Sequence, residues 1–95
     1  MQLNSQAFLY KVTGEIIPVN PKNKKSFTLK ELKEFVSGLI EIISLPDGRL
    51  MILDEEGKLD NKNVNQLATN VARDVLHPTD YIVGDVLVTP YELVD

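Results

Sequence analysis

From Leu39 to Leu59 the chain reads LIEIISLPDGRLMILDEEGKL, and no other stretch limits its architecture as much. Asp47-Gly48, set between two apolar runs, is a strong hairpin signal, because a two-residue type I′ turn needs positive φ at both central positions. In the first predicted strand Ile40 and Ile42 point one way, while Leu39, Ile43 and Leu45 point the other with Glu41 among them. In the second, Leu50 and Ile52 oppose Met51 and Leu53. Both faces of the hairpin are therefore apolar, and both must be covered. The expectation is a hairpin in the middle of a sheet, with helices on one face and a second sheet layer or another copy of the chain on the other. Asp54-Glu55-Glu56-Gly57 reads as a type I turn with Gly57 left-handed, so that Lys58-Leu59 begins a short return.

The flanking sequence supplies the rest of the elements. Ala7 to Val12 alternates as a strand, with Phe8, Tyr10 and Val12 on one face. Thr13-Gly14 is a turn, and Glu15 to Val19 a second strand whose Pro18 suits a sheet edge. Asn20 to Ser26 is a polar loop. Thr28 with Glu31 forms a capping box, and Phe27 with Leu32 a hydrophobic staple, so a helix runs from Leu29 to Ser37 with Gly38 as its left-handed stop. Val64, Leu67, Ala68, Val71, Ala72 and Val75 follow helical spacing, with Asn63 and Gln66 as an N-cap pair and His77-Pro78 as the stop. Tyr81 to Thr89 is a last strand, interrupted at Gly84-Asp85. Pro90 to Asp95 is expected to pair weakly or fray. Together these give one domain over 1–95 with its core from 7 to 89. The fold class is α+β: a mainly antiparallel sheet of about five strands, free to curl towards a barrel, with two helices.

Composition narrows the function classes. A 43% hydrophobic, 25% charged chain is that of a folded protein. The net charge of −4 argues against nucleic acid as the main partner, since phosphate contact needs a basic surface. With no cysteine there is no disulfide, thiolate metal site or thiol nucleophile. The opening MQLNSQAFLYKV lacks the basic start and long apolar run of a signal peptide, and no apolar run reaches membrane-spanning length. The expected location is the cytoplasm, with no membrane association.

Few residues carry a chemical signal. The acidic turn Asp54 to Asp60 has its glycine too early for a calcium loop, and Lys58 stands where a ligand belongs, so a solvated turn is expected. His77 is the only histidine and reads as a helix-end residue. Lysines 22, 24, 25, 30 and 33 make a basic patch without interleaved aromatics. Glu41 is the one carboxylate set within an apolar strand, where burial would fit it for acid–base work. Asn65 and Thr69 lie on the polar side of the second helix. Asn65 there either caps the helix or contacts a ligand. The candidate contact residues for a ligand or partner are Glu41, Asn65, Thr69 and Asp85. No cofactor or catalytic group is indicated.

Four ordered blocks carry a resemblance. They are Val36-Ser37-Gly38-Leu39-Ile40-Glu41, Leu53 to Leu59, Asn65 to Thr69, and Ile82 to Val88. In these the chain resembles the domain-of-unknown-function family 3846 of phages, plasmids and bacterial genomes, over roughly Phe8 to Thr89. That family usually carries two glycines after the valine, where this chain has Ser37-Gly38. The resemblance implies a small accessory protein with no known enzymatic activity, and it supplies no catalytic residues. The expected function is non-catalytic: a homo-oligomer formed through the Leu39–Asp54 hairpin that binds a protein partner. The alternative is a nucleotide or metabolite binder of a mobile element.

Overall fold

The computed structural model describes residues 6–94. Its strands are β1 (Ala7–Tyr10), β2 (Ile16–Val19), β3 (Ile40–Ser44), β4 (Arg49–Asp54) and β5 (Val86–Pro90), and its helices are α1 (Leu29–Val36) and α2 (Gln66–Val71). The strands make one open antiparallel sheet in the order β2-β1-β5-β4-β3, so the class is α+β and the sheet does not close into a barrel. The hairpin β3–β4 is not its middle. The last strand, β5, lies between β1 and β4, and every residue of its VLVTP run is buried. A strand with apolar residues on both faces belongs at the centre, and β5 meets that condition more fully than β3.

Both sheet faces are closed within this one chain, and each has its own helix. On one face Met51 and Leu53 of β4 and Val86 and Val88 of β5 pack with Leu45 and Ile82 beneath Ala68 and Ala72. The two alanines are fully buried, so small side chains bring α2 close to the sheet. On the other face Ile52, Leu87 and Ala7 pack against Phe27, Leu32 and Val36 of the α1 region. The period-2 alternation of β4 and β5 thus feeds two separate cores. The expected second sheet layer or second copy is not what covers the far face; α1 is.

Two hairpins use the same turn. Lys11 N–H donates to Glu15 O and Gly14 N–H to Lys11 O; likewise Leu45 N–H donates to Arg49 O and Gly48 N–H to Leu45 O. Only the glycine of each loop has positive φ, +95° at Gly14 and +90° at Gly48. Asp47 does not, so the type I′ expectation gives way to a three-residue loop, Pro46-Asp47-Gly48, of a type I turn followed by a glycine bulge. Pro46 presets the first turn position, which the dipeptide reading passed over. The Asp47 carboxylate accepts from Arg49 N–H and pairs with Arg49 Nε at 2.8 Å.

Helix α1 starts as its sequence demands. Thr28 Oγ1 accepts from Glu31 N–H, Glu31 Oε1 accepts from Thr28 N–H, and Glu31 Oε2 accepts from Lys22 N–H in the preceding loop. These backbone N–H bonds hold the Glu31 carboxyl below its ordinary pKa. The staple pair Phe27 and Leu32 is buried in one core. The helix stop differs from expectation: Ser37, not Gly38, takes the left-handed conformation, at φ 57° and ψ 48°. Gly38 is needed for space, since a Cβ there would stand 2.5 Å from the Asp54 carboxylate.

The second half of the chain is less regular than its periodicity suggests. Helix α2 is capped by Asn65 rather than Asn63, and it ends at Val71, followed by a 3-10 turn over Arg73–Val75. Val64 sits outside the helix, in a bridge to Val83. Gly57 has no positive φ and Lys58-Leu59 forms no strand; Glu55 to Asn61 instead coil in successive turns, with Asn61 left-handed. Tyr81 to Asp85 is not strand, and β5 begins at Val86. Beyond β5 the chain makes a 3-10 turn, and Val94 bridges to Phe27. Asp95, the last residue of the expected fraying tail, lies outside the described residues.

Ser37→Gly should stabilise the protein by about 0.5–1 kcal/mol, because a Cβ in the left-handed region is relieved. Gly38→Ala should cost about 1–3 kcal/mol through overpacking against Asp54. Urea midpoints of the two variants, moving in opposite directions from one another, check the assignment.

Candidate functional site

The loop from Asn61 to Asn65 carries the polar groups that hold the sheet end together. Asn65 is fully buried. Its Oδ1 accepts from Ala68 N–H, capping α2, and its Nδ2 donates to Tyr10 O and to Gly84 O, each at 2.9 Å. Its backbone N–H donates to Ile82 O. Thr69 Oγ1 donates to Asn65 O at 2.8 Å and accepts from Ile82 N–H at 2.9 Å. Asp85 Oδ1 accepts from Val12 N–H at 2.9 Å. Three of the four candidate contact residues are thus joined in one region, where they tie β1, α2 and the approach to β5. Both amide hydrogens of Asn65 and the hydroxyl of Thr69 are used inside the protein. Of the two readings of Asn65, capping describes what its side chain does.

Glu41 is elsewhere. It lies exposed on β3, opposite Leu53, and is not gathered with the other three. It rims a cleft of about 280 Å³ with Lys58, Asp80 and Tyr81, whose floor includes Ile43, Leu53, Leu76 and Ile82. Across this cleft Lys58 Nζ pairs with Asp80 and sits 4.4 Å from the Tyr81 ring centroid. The Lys58 hydrogen bond, helped by Tyr81 N–H, holds the Asp80 carboxyl below its ordinary pKa.

The group that the sequence did not mark is Lys62. Its Nζ donates to the carbonyls of Val36 and Ser37, the open C-terminus of α1, at 2.7 and 3.1 Å. The same ammonium lies 2.6 Å from Oδ2 of Asp54, an ion contact rather than an aligned hydrogen bond. The Asp54 side chain is only 2% exposed. Burial pushes its carboxyl up, but Lys62 and the N–H of Glu56 outweigh that and hold it below its ordinary value of 3.8. Asp54 is therefore no solvated turn residue, as the acidic-turn reading had it, but a buried anion at the end of β4. Its neighbours Glu55 and Glu56 are exposed. Among the described residues no three metal-ligating side chains converge.

The other polar groups weighed from sequence lie in solvent. His77 is exposed in the turn after the 3-10 segment, where its Nδ1 meets Thr79 Oγ1 at 2.8 Å. Lys22, Lys24, Lys25, Lys30 and Lys33 are all exposed.

The other surface that can take a partner is the outer edge of β3. Leu39 O accepts from Glu55 N–H and Leu45 N–H donates to Arg49 O, so the odd-numbered residues of this strand bond to β4. By alternation the N–H and C=O of Ile40, Ile42 and Ser44 point outward. The side chains of Leu39 and Ile42 are 51% and 46% exposed. The opposite edge is blunted: the pairing phase of β2 turns the ring nitrogen of Pro18 outward, where there is no N–H to offer.

Lys62→Met should cost about 2–4 kcal/mol, because it leaves a buried carboxylate without its counter-charge. The pH dependence gives the sign. In the parent, Asp54 contributes stability that is present above its ordinary value of 3.8 and lost as pH falls below it. In Lys62→Met burial, the largest influence on this carboxyl, is opposed only by the Glu56 N–H and raises that pKa, so the same group loses stability as pH rises. The gap between the two proteins in urea unfolding should therefore narrow from pH 7 towards pH 4, and Asp54→Asn in the Lys62→Met background should recover part of the loss.

The family model described as "Domain of unknown function (DUF3846)" matches residues 12–92. No curated protein and no solved structure matches the chain. The matched range takes in α1 with its capping box, the β3–β4 hairpin, the Asn61–Asn65 loop and β5, and on that extent the chain belongs to the DUF3846 family.

Proposed function

We propose that this protein is a non-catalytic accessory protein that self-associates and binds protein through the outer edge of β3. The observation that carries the reading is the contrast between the two sheet edges. One has lost an outward N–H at Pro18 and keeps within β2 only that of Ile16, while the other presents three outward amides, those of Ile40, Ile42 and Ser44, with no backbone partner among the described residues, beside the exposed side chains of Leu39 and Ile42. An edge of that kind recruits a strand, with backbone bonds giving affinity and alternate side chains giving specificity. With both sheet faces covered by helices, the edge is where further pairing has room. The net charge of −4 favours protein over nucleic acid as the partner. No helix among the described residues is long and apolar enough to cross a membrane, and we place the protein in the cytoplasm, serving a mobile element or its bacterial host.

An interface confined to one strand edge falls in the small class, under about 1,200 Å², so association with a dissociation constant on the order of micromolar is expected. Light scattering should show the molar mass rising between about 1 and several hundred micromolar, in that range. Ile42→Lys should hold the protein monomeric with its melting temperature little changed, since the side chain is exposed in the monomer. A parent protein that stays strictly monomeric at the highest concentration removes the self-association reading.

A second reading rests on the cleft between Glu41, Lys58, Asp80 and Tyr81, with its apolar floor and charged rim. It suits a small metabolite carrying an apolar body and a polar end. A thermal-shift screen with nucleotides and polar metabolites checks it: a true ligand at a hundred times its dissociation constant adds about 2.7 kcal/mol. No shift across the set leaves the edge-strand reading alone.

A further inference from the structure

We infer that the self-association proposed above is an isologous pairing of β3 with β3 of a second copy, antiparallel and centred on Ile42. This rests on the edge-strand reading and adds the register. A two-fold dimer sets each residue opposite one whose number makes a constant sum with its own, so the centre of the strand decides every pair. Only residues whose amides point outward can exchange bonds across the axis, and these are Ile40, Ile42 and Ser44.

Five centres keep outward residues opposed, since the axis can also pass through a non-bonded pair, and they are unequal. Centring on Glu41 sets that carboxylate against its own copy and Ser44 against Gly38, and centring on Ile43 sets Ile40 opposite Pro46, which has no N–H. Centring on Ile40 sets Ser44 opposite Val36 of the second copy, which is locked in α1, and leaves most of the strand unpaired. Centring on Ser44 sets Ile42 opposite Pro46, which has no N–H, and Glu41 opposite Asp47, a like charge. Centring on Ile42 sets Ile42 against Ile42 and Ile40 against Ser44, so all the outward amides find partners along the full length of β3. Glu41 then faces Ile43 of the second copy rather than a carboxylate. The two Ile42 side chains meet on the α1 side of the sheet, where Ile42 is 46% exposed. The product is one continuous sheet running through both copies, with β2 and its Pro18 at each end.

The chain has no cysteine, so single cysteines report the register without background. At a concentration where light scattering shows the dimer, Ile42→Cys should oxidise to a disulfide-linked dimer, because directly opposed residues in this phase lie about 5.5 Å apart between Cα atoms, within disulfide reach. Ser44→Cys should not, since the two copies of that residue are displaced by about 13 Å along the strands. The double variant Ile40→Cys with Ser44→Cys should cross-link again. A dimer in which Ser44→Cys links as readily as Ile42→Cys, or in which Ile42→Cys does not link, overturns the register and leaves self-association standing. A monomer at every concentration overturns both.

Discussion

The buried amide of Asn65 is the contact on which the order of the sheet depends. The central strand comes from the end of the described chain and must be threaded between two hairpins that are already complete in themselves. What brings it there is the segment Ile82–Asp85, and that segment is held by Asn65 Nδ2 on Gly84 O, Asn65 N–H on Ile82 O and Thr69 Oγ1 on Ile82 N–H. The same amide holds Tyr10 O at the end of β1. An unpaired amide buried to this degree would cost on the order of 1–3 kcal/mol per group, so the satisfied set excludes other placements of the strand as much as it favours this one. Lys62, three positions earlier, does the corresponding work for charge: it closes the C-terminus of α1 and neutralises the end of β4.

What the sequence revealed was local. The α1 start was legible to the residue because its signal lies within the five positions from Phe27 to Glu31 and in Leu32, each acting on its near neighbours. The two hairpins were legible for the same reason, although the dipeptide Asp47-Gly48 hid the part played by Pro46. Strand order was not legible, because no local pattern says that β5 rather than β4 is central. The start of α2 was misplaced by two residues since Asn61, Asn63 and Asn65 all have capping side chains, and only the tertiary contacts of Asn65 choose among them. Asn65, Thr69 and Asp85 stood out as polar residues near apolar runs; the chain uses that polarity for its own backbone. Glu41 stood out for its apolar neighbours, but β3 is an edge and its side chain reaches solvent. Lys62 gave no local sign, since the carbonyls of Val36 and Ser37 lie far away in sequence and Asp54 is set beside it only by the turns between them.

Ser37-Gly38 shows how family pattern and physics meet. The resemblance to the family implies two glycines at this place, and the geometry gives each a separate reason. The first position needs the left-handed backbone that glycine enters most cheaply; the second needs the absence of a side chain beside Asp54. Serine can meet the first demand at some cost in strain, whereas no residue but glycine meets the second.

The place of β5 also sets the sequence of events in folding. Each hairpin has the means to close on itself through a three-residue loop before β5 exists, although a two-stranded hairpin alone is only marginally stable. Neither can dock with the other until residues 86–90 have been made, because the strand that joins them has not yet appeared. Until then the edges of β1 and β4 that β5 will fill are open to pairing with strands of neighbouring molecules. The interval before β5 emerges is thus the period in which this protein is most exposed to aggregation, and its length is fixed by strand order rather than by the stability of the finished fold.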